Sequence, residues 1–173
     1  MGKYEIIELD RSYLKDVQAI LNKVIETSTA LFDLKPRSLE KVVEWYEKKQ
    51  SMGFPLLGVK DENGVLMGFA TYDHFRHLEA YQYSVEHSIY VSESFQGKGL
   101  GKVLLQSLMV IAEKNKVRSM IGVIESENIG SISLHKKFGY QYCGELKDVG
   151  YKFDRWLDVV FYQYIFEKFS PKR

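Results

Sequence analysis

Val91-Ser92-Glu93-Ser94-Phe95-Gln96-Gly97-Lys98-Gly99-Leu100-Gly101-Lys102 is the stretch on which the reading of the fold turns. The residues before it, from about Tyr81 to Val91, read as a strand. Those after it place Leu100, Leu104, Leu108, Ile111 and Ala112 on one face of a helix. Between them the glycines of Gln96–Gly101 let the backbone approach a ligand closely. The first N–H groups of the helix have no partners inside it, and the helix dipole adds roughly half a positive charge at that end. Such a turn can hold a phosphate. It is not a Walker A loop, because the Gly-Lys-Ser/Thr ending is missing, and the strict alternation of Gly97, Gly99 and Gly101 does not fit the dinucleotide pattern Gly-x-Gly-x-x-Gly. A purely structural strand-to-helix turn would carry the same glycines.

Working outward, Tyr4–Leu9 reads as a strand, and Leu14, Val17, Ile20, Leu21, Val24 and Ile25 form the apolar face of a first helix. Pro36 and Ser38 open a second helix running through Lys49. Phe54–Lys60 and Val65–Phe75 read as strands joined by Asp61-Glu62-Asn63-Gly64, where Asn-Gly signals a tight hairpin turn. Downstream, Met120–Ile124 is a short strand and Ile129–Phe138 a short helix stopped by Gly139. Aromatic strands around Tyr140–Leu146 and Leu157–Phe166 close the chain. The expected architecture is one mixed α/β domain over residues 1–173, with a mostly antiparallel sheet and flanking helices.

The 173 residues suit a single core, and the net charge of +1 contains no long run of one sign. That argues against a nucleic-acid partner; Lys114-Asn115-Lys116-Val117-Arg118 reads as the solvated end of a helix. No stretch approaches the roughly 20 apolar residues of a membrane span, and the N-terminus resembles neither a signal peptide nor a myristoylation site. The single cysteine, Cys143, excludes an intramolecular disulfide and is expected to be buried as a small apolar residue. The expected location is the cytoplasm. His74, His77, His87 and His135 are scattered, without metal-ligand spacing, so no metal is expected.

Gln96, Gly99 and Gly101 fill the three fixed places of a pattern, Gln/Arg-x-x-Gly-x-Gly/Ala, that resembles the acetyl-CoA signature of the Gcn5-related N-acetyltransferase (GNAT) superfamily. Glu127-Asn128-Ile129-Gly130-Ser131-Ile132-Ser133-Leu134-His135-Lys136-Lys137-Phe138-Gly139-Tyr140 resembles its second common stretch. Further segments resemble the phosphinothricin acetyltransferase group: Glu26–Phe32, Ser84–Val91, and Gly150–Val159 with its Gly-Tyr-Lys and Trp-x-Asp-Val elements. The resemblance implies a twisted sheet splayed between its fourth and fifth strands, with acetyl-CoA as co-substrate and its pantetheine arm in the splay. It loosens between Tyr72 and Tyr81, where such enzymes shape the substrate pocket.

An amine attacks a thioester only as the free base, so the reaction needs a base and an acid for the departing thiolate. Glu86 stands mid-strand on the face shared with Ser88 and Tyr90; a carboxylate there costs stability unless paired or useful. The resemblance makes Glu86 the base, acting through a water, and His135 the acid in the place of the superfamily's usual tyrosine. His135 could instead assist Glu86. Tyr140 is expected to be packing. For the cofactor, the resemblance implies the Ile89 and Val91 main chain for pantetheine, the Gln96, Gly97, Lys98, Gly99, Leu100, Gly101 and Lys102 turn for phosphates, and Asn128 and Ser131 on the short helix. For substrate the candidates are Phe32, Tyr72, Phe75, Arg76, Tyr81 and Tyr83, with Arg76 able to pair with a carboxylate.

The function expected is acetylation of the amino group of a small amino-acid-like molecule, of the phosphinothricin or methionine sulfoximine type. Acetylation of protein N-termini or polyamines, or a non-catalytic acyl-CoA sensor, are the alternatives. The presence of both Glu86 and His135 argues against the sensor. The partner is a small-molecule amine, and a homodimer stays open.

Overall fold

The computed structural model describes residues 3–167. The elements are β1 (Tyr4–Glu8), α1 (Leu14–Thr27), α2 (Leu39–Ser51), β2 (Leu56–Asp61), β3 (Leu66–His74), β4 (Ser84–Val91), α3 (Leu100–Lys114), β5 (Ser119–Glu125), α4 (Ile129–Lys137), β6 (Gln141–Lys152) and β7 (Arg155–Ile165). The strands are hydrogen-bonded in the order β1-β2-β3-β4-β5-β7-β6. The β4–β5 pair is parallel, whereas β1–β2, β2–β3, β5–β7 and β6–β7 are antiparallel. This is the mixed, mostly antiparallel sheet with flanking helices that the sequence implied.

The chain divides into two compact units. One comprises residues 3–28, Asp33–Tyr72 and Ser88–Leu108; the other comprises Thr29–Phe32, Asp73–His87 and 109–167. In the first, α1 buries Leu14, Val17, Ile20, Leu21 and Ile25, the face that the three-and-four spacing marks. Ser38 caps α2 by accepting from the Lys41 N–H at 3.3 Å. Phe69 on β3 is fully buried, with Trp45 edge-on at 6.4 Å and Tyr90 at 5.3 Å. Each such side chain contributes about 1.5–3 kcal/mol of burial. Gly68 lets β3 approach β4 closely: a Cβ there would stand 2.7 Å from the Tyr90 carbonyl oxygen.

In the second unit, β5 pairs with β4 in the register Ser84↔Ser119, Val85↔Met120 and Glu86↔Ile121. On its other edge β5 pairs with β7 from Ser119↔Ile165 to Glu125↔Val159. The β6–β7 hairpin turns through Phe153 and Asp154, both at positive φ (53° and 56°), as a two-residue turn of the right twist requires.

Several local expectations change. Tyr81 is not in β4 but in a 3-10 turn, Glu79–Tyr81. At the β2–β3 turn only Gly64 takes positive φ (82°); the turn is held instead by Asp61 Oδ1, which accepts from the Asn63 and Val65 N–H groups. Strand β6 runs to Lys152, beyond the expected end at Leu146, because a bulge between Leu146 and Gly150 interrupts the pairing without ending it. Asp158 staples that bulge, accepting from the Asp148 N–H at 2.9 Å and Lys147 Nζ at 2.8 Å. Cys143 is exposed, not buried: Tyr142 faces Tyr162 and Gly144 faces Phe161, so Cys143 is the extra residue of a β-bulge.

Candidate active site

Strand alternation sends Glu86 and His87 to opposite faces of β4. Glu86 is half-buried and makes no hydrogen bond or ion pair among the described residues. Burial holds its carboxyl above the usual carboxylate range; the Arg76 charge pulls it back and the Asp73 charge raises it. Such a carboxylate is ready to take a proton.

Arg76 is exposed, its guanidinium 4.7 Å from the Phe75 ring, which in turn meets Tyr81 edge-on at 5.9 Å. Tyr83 is half-buried, and its carbonyl accepts from the N–H groups of Arg118 and Ser119. Phe32 sits in the same unit and is 38% exposed. A Cβ on Gly150 would stand 2.4 Å from the Phe32 ring, so the loop packs directly onto bare backbone. Lys152 Nζ donates to the Leu31 carbonyl at 2.6 Å, and Thr29 Oγ1 donates to Glu125 at 3.1 Å. Two charged side chains that are nearly fully buried thus hold the Thr29–Phe32 loop. Neither Glu125 nor Lys152 stands out in sequence as a site residue, although Lys152 lies in the Gly-Tyr-Lys element. Tyr72 belongs to the other unit; it is 2% exposed and packs edge-on to Phe54 at 5.7 Å.

His135, on α4, is 4% exposed. Its Nδ1 lies 2.7 Å from the Ser131 carbonyl oxygen and 3.4 Å from Ser131 Oγ. Its Nε2 lies 2.8 Å from Nε2 of His87. His87 is itself buried, with Nδ1 2.8 Å from the Ile121 carbonyl oxygen. Burial first, then the His135 charge, push His87 down to about 3, so it stays neutral. Burial also lowers His135, against the raising effect of the Ser131 carbonyl. Nothing in the sequence sets His87 apart from His74 and His77; only the pairing across strand and helix shows what His87 touches. Tyr140 packs edge-on to His135 at 5.0 Å. Its hydroxyl is buried without a hydrogen-bond partner among the described residues, and burial raises its pKa. That is the packing role expected of it.

The glycine turn lies in the first unit with the end of β4. Gly97 and Gly99 take positive φ (72° and 78°), and a Cβ at Gly97 would meet nothing within 4 Å. Gln96 Nε2 donates to the Val91 carbonyl at 3.3 Å, tying the turn to the strand. Lys98 Nζ donates to the Ser94 carbonyl at 3.1 Å, and Lys102 is exposed. The first intrahelical donors are Lys102 and Val103, both to the Gly99 carbonyl. The amides of Leu100 and Gly101 precede them and suit an anion. Asn128 caps α4, its Oδ1 accepting from the Ser131 N–H at 3.0 Å, which leaves its side-chain NH₂ to donate.

Residues 18–140 match the model of the acetyltransferase (GNAT) family. The chain is 37% identical over 150 residues to the L-methionine sulfoximine/L-methionine sulfone acetyltransferase of Pseudomonas aeruginosa, covering 87% of each protein. It is 36% identical over 154 residues to the phosphinothricin N-acetyltransferase of Streptomyces viridochromogenes, covering 89% of this chain and 83% of that one. A phosphinothricin acetyltransferase from Sinorhizobium meliloti, crystallised with acetyl-CoA, superposes with a TM-score of 0.94 at 29% identity, over 98% of this chain and 92% of that one. The chain belongs to the GNAT family of acetyltransferases. It is an N-acetyltransferase with acetyl-CoA as co-substrate.

Proposed function

We propose that this enzyme acetylates the free amino group of a small amino acid or amino-acid analogue, of the methionine sulfoximine or phosphinothricin type. The observation that carries the reading is Glu86: a half-buried carboxylate, raised by burial, unpaired, with Arg76 acting on it electrostatically. Glu86 takes the proton of the incoming ammonium, directly or through a water. Arg76 supplies a cation able to pair with a substrate carboxylate, and Phe32, Phe75 and Tyr83 offer aromatic surface for the remainder. Tyr72, 2% exposed and packed on Phe54, serves the core of its own unit.

Acetyl-CoA supplies the thioester carbonyl. The amides of the Gly97–Gly101 turn hold its pyrophosphate, with Gln96 fixing the turn and Lys98 and Lys102 adding charge. The main chain of Ile89 and Val91 and the side chains of Asn128 and Ser131 bind pantetheine. His135 carries the proton needed by the departing thiolate. Dependence on acetyl-CoA supports a cytoplasmic setting, and no helix among the described residues is long and apolar enough to cross a membrane.

The relatives whose named substrates are small amino-acid analogues support this class over protein N-termini or polyamines. A panel of free amino acids, amino-acid sulfoximines, polyamines and short peptides, assayed with acetyl-CoA by thiol release, tests the reading. Turnover confined to α-amino acids and their analogues is expected. Preference for polyamines or peptides overturns it.

A further inference from the structure

The contacts around His87 and His135 contain a proton-counting problem. Three close contacts follow one another: Ile121 O to His87 Nδ1 at 2.8 Å, His87 Nε2 to His135 Nε2 at 2.8 Å, and His135 Nδ1 to Ser131 O at 2.7 Å. Carbonyl oxygens only accept, so each contact needs a proton on nitrogen. Two neutral imidazoles bring two protons, and the third contact is satisfied only when one ring holds an extra one. The contacts therefore differ in what they do when the pair is neutral. At the His87 end, Nδ1 has the Ile121 carbonyl as its one partner among the described residues, and a carbonyl only accepts, so Nδ1–H is held there. At the His135 end, Ser131 also offers its hydroxyl, 3.4 Å from Nδ1. A hydroxyl can rotate to donate to a bare Nδ1 or to accept from a protonated one. That is the end at which a proton can come and go.

We propose that His87 is a positioning residue that sets the tautomer of His135. The neutral His87 lone pair on Nε2 keeps a fixed proton on His135 Nε2, and His135 Nδ1, beside Ser131, is the nitrogen that gains and loses the catalytic proton. The proposal rests on the reading of His135 as the proton carrier. A proton passing from Nδ1 to the thiolate breaks an N–H bond and forms an S–H bond; the ring goes from +1 to neutral and the sulfur from −1 to neutral. Ser131 stands next to that nitrogen as the polar group through which the proton leaves.

The surroundings suit one extra proton and no more. The titratable groups packed against His135 are His87 from β4 and Tyr140 just after α4, with Tyr164 of β7 stacked behind Tyr140 at 5.6 Å. From β5 comes Gly122, where a Cβ would stand 3.0 Å from His135 Nε2 and 3.3 Å from His87 Cε1. The absence of a side chain there is what lets the two rings meet. Burial, and then a charge on His135, lower His87 to about 3, so an extra proton resides on His135 and the two rings act as acceptor and donor rather than as two equivalent bases.

Two-bond ¹H–¹⁵N spectra of the ¹⁵N-histidine-labelled protein, over about pH 5 to 9, read the tautomers directly. The expected result is His87 protonated at Nδ1 throughout, His135 protonated at Nε2 throughout, and His135 Nδ1 alone titrating. Titration of His135 at Nε2, or a proton on His87 Nε2, overturns the proposal. Kinetics supply the second readout. His87→Leu removes the acceptor, so charged His135 loses a partner and the His135-dependent limb of the kcat profile moves to lower pH. His87→Gln restores an acceptor oxygen and holds the limb in place. A His87 that only filled space would lower kcat without moving the limb, which overturns the proposal. His135→Ala separates the two claims: full kcat in that variant, with the tautomers as assigned, defeats the proton-carrier reading and with it the catalytic part.

Discussion

Gly122→Ala perturbs the histidine pair without touching either histidine. Gly122 lies mid-β5, opposite Tyr162, and its backbone is not in the positive-φ region, so alanine introduces no backbone strain. The new methyl would stand 3.0 Å from both Cδ2 and Nε2 of His135, against about 3.5–4.0 Å for a relaxed contact. The His135 ring must therefore move by about 0.5 Å. It is 4% exposed, and the same methyl would stand 3.3 Å from Cε1 of buried His87, so the ring has little room to yield. Overpacking of this kind costs about 1–3 kcal/mol, while replacing glycine returns about 0.4–1 kcal/mol through the unfolded chain. The expected net loss is about 1–2 kcal/mol, read by urea denaturation. The functional loss should exceed what that implies. A 0.5 Å shift stretches or tilts the 2.8 Å Nε2–Nε2 contact, and misplacement of about 1 Å at a catalytic group can cost 100-fold. We expect kcat to fall about 10-fold or more, with the KM for acetyl-CoA little changed. Wild-type kcat in a folded Gly122→Ala protein would overturn this, since the methyl would then fit beside the two rings without disturbing them.

Glu86→Gln keeps size and hydrogen bonding but loses basicity, and should lower kcat/KM by about 10²–10⁴-fold with the fold intact by circular dichroism. The pH profile follows from the same carboxylate: activity needs it ionised, so the acidic limb lies above the ordinary carboxylate range because burial raises Glu86. Arg76→Ala removes the charge that lowers it and should move that limb to higher pH, whereas Asp73→Asn should move it lower. Gly99→Glu places a side chain at φ 78° in the turn and should abolish acetyl-CoA binding by calorimetry while unfolding stays cooperative. Gly150→Ala pushes the Phe32 ring off its seat, so the KM for the amine should rise several-fold while that for acetyl-CoA does not.

The order of elements, the capped second helix and the glycine turn could all be read from the chain, because each rests on local chemistry. Ser38 accepts from an N–H three residues on, and Gly97 and Gly99 adopt the positive φ that only glycine takes freely. Glu86 could be picked out too, as a carboxylate where alternation calls for an apolar or aromatic side chain. What the chain alone could not show is which neighbours these residues meet. Cys143 looked buried because a strand of aromatics surrounds it, yet a bulge one residue long leaves it exposed. Tyr72 looked like pocket and is core, since both fates suit an aromatic residue on a strand. His87 and His135 are 48 residues apart, and no spacing rule relates a strand of one segment to a helix of another. Their contact exists because β4 and β5 pair side by side, α4 packs on β5, and Gly122 leaves room between two rings. Local propensity decides which residues form an element; only packing decides which side chains share a proton.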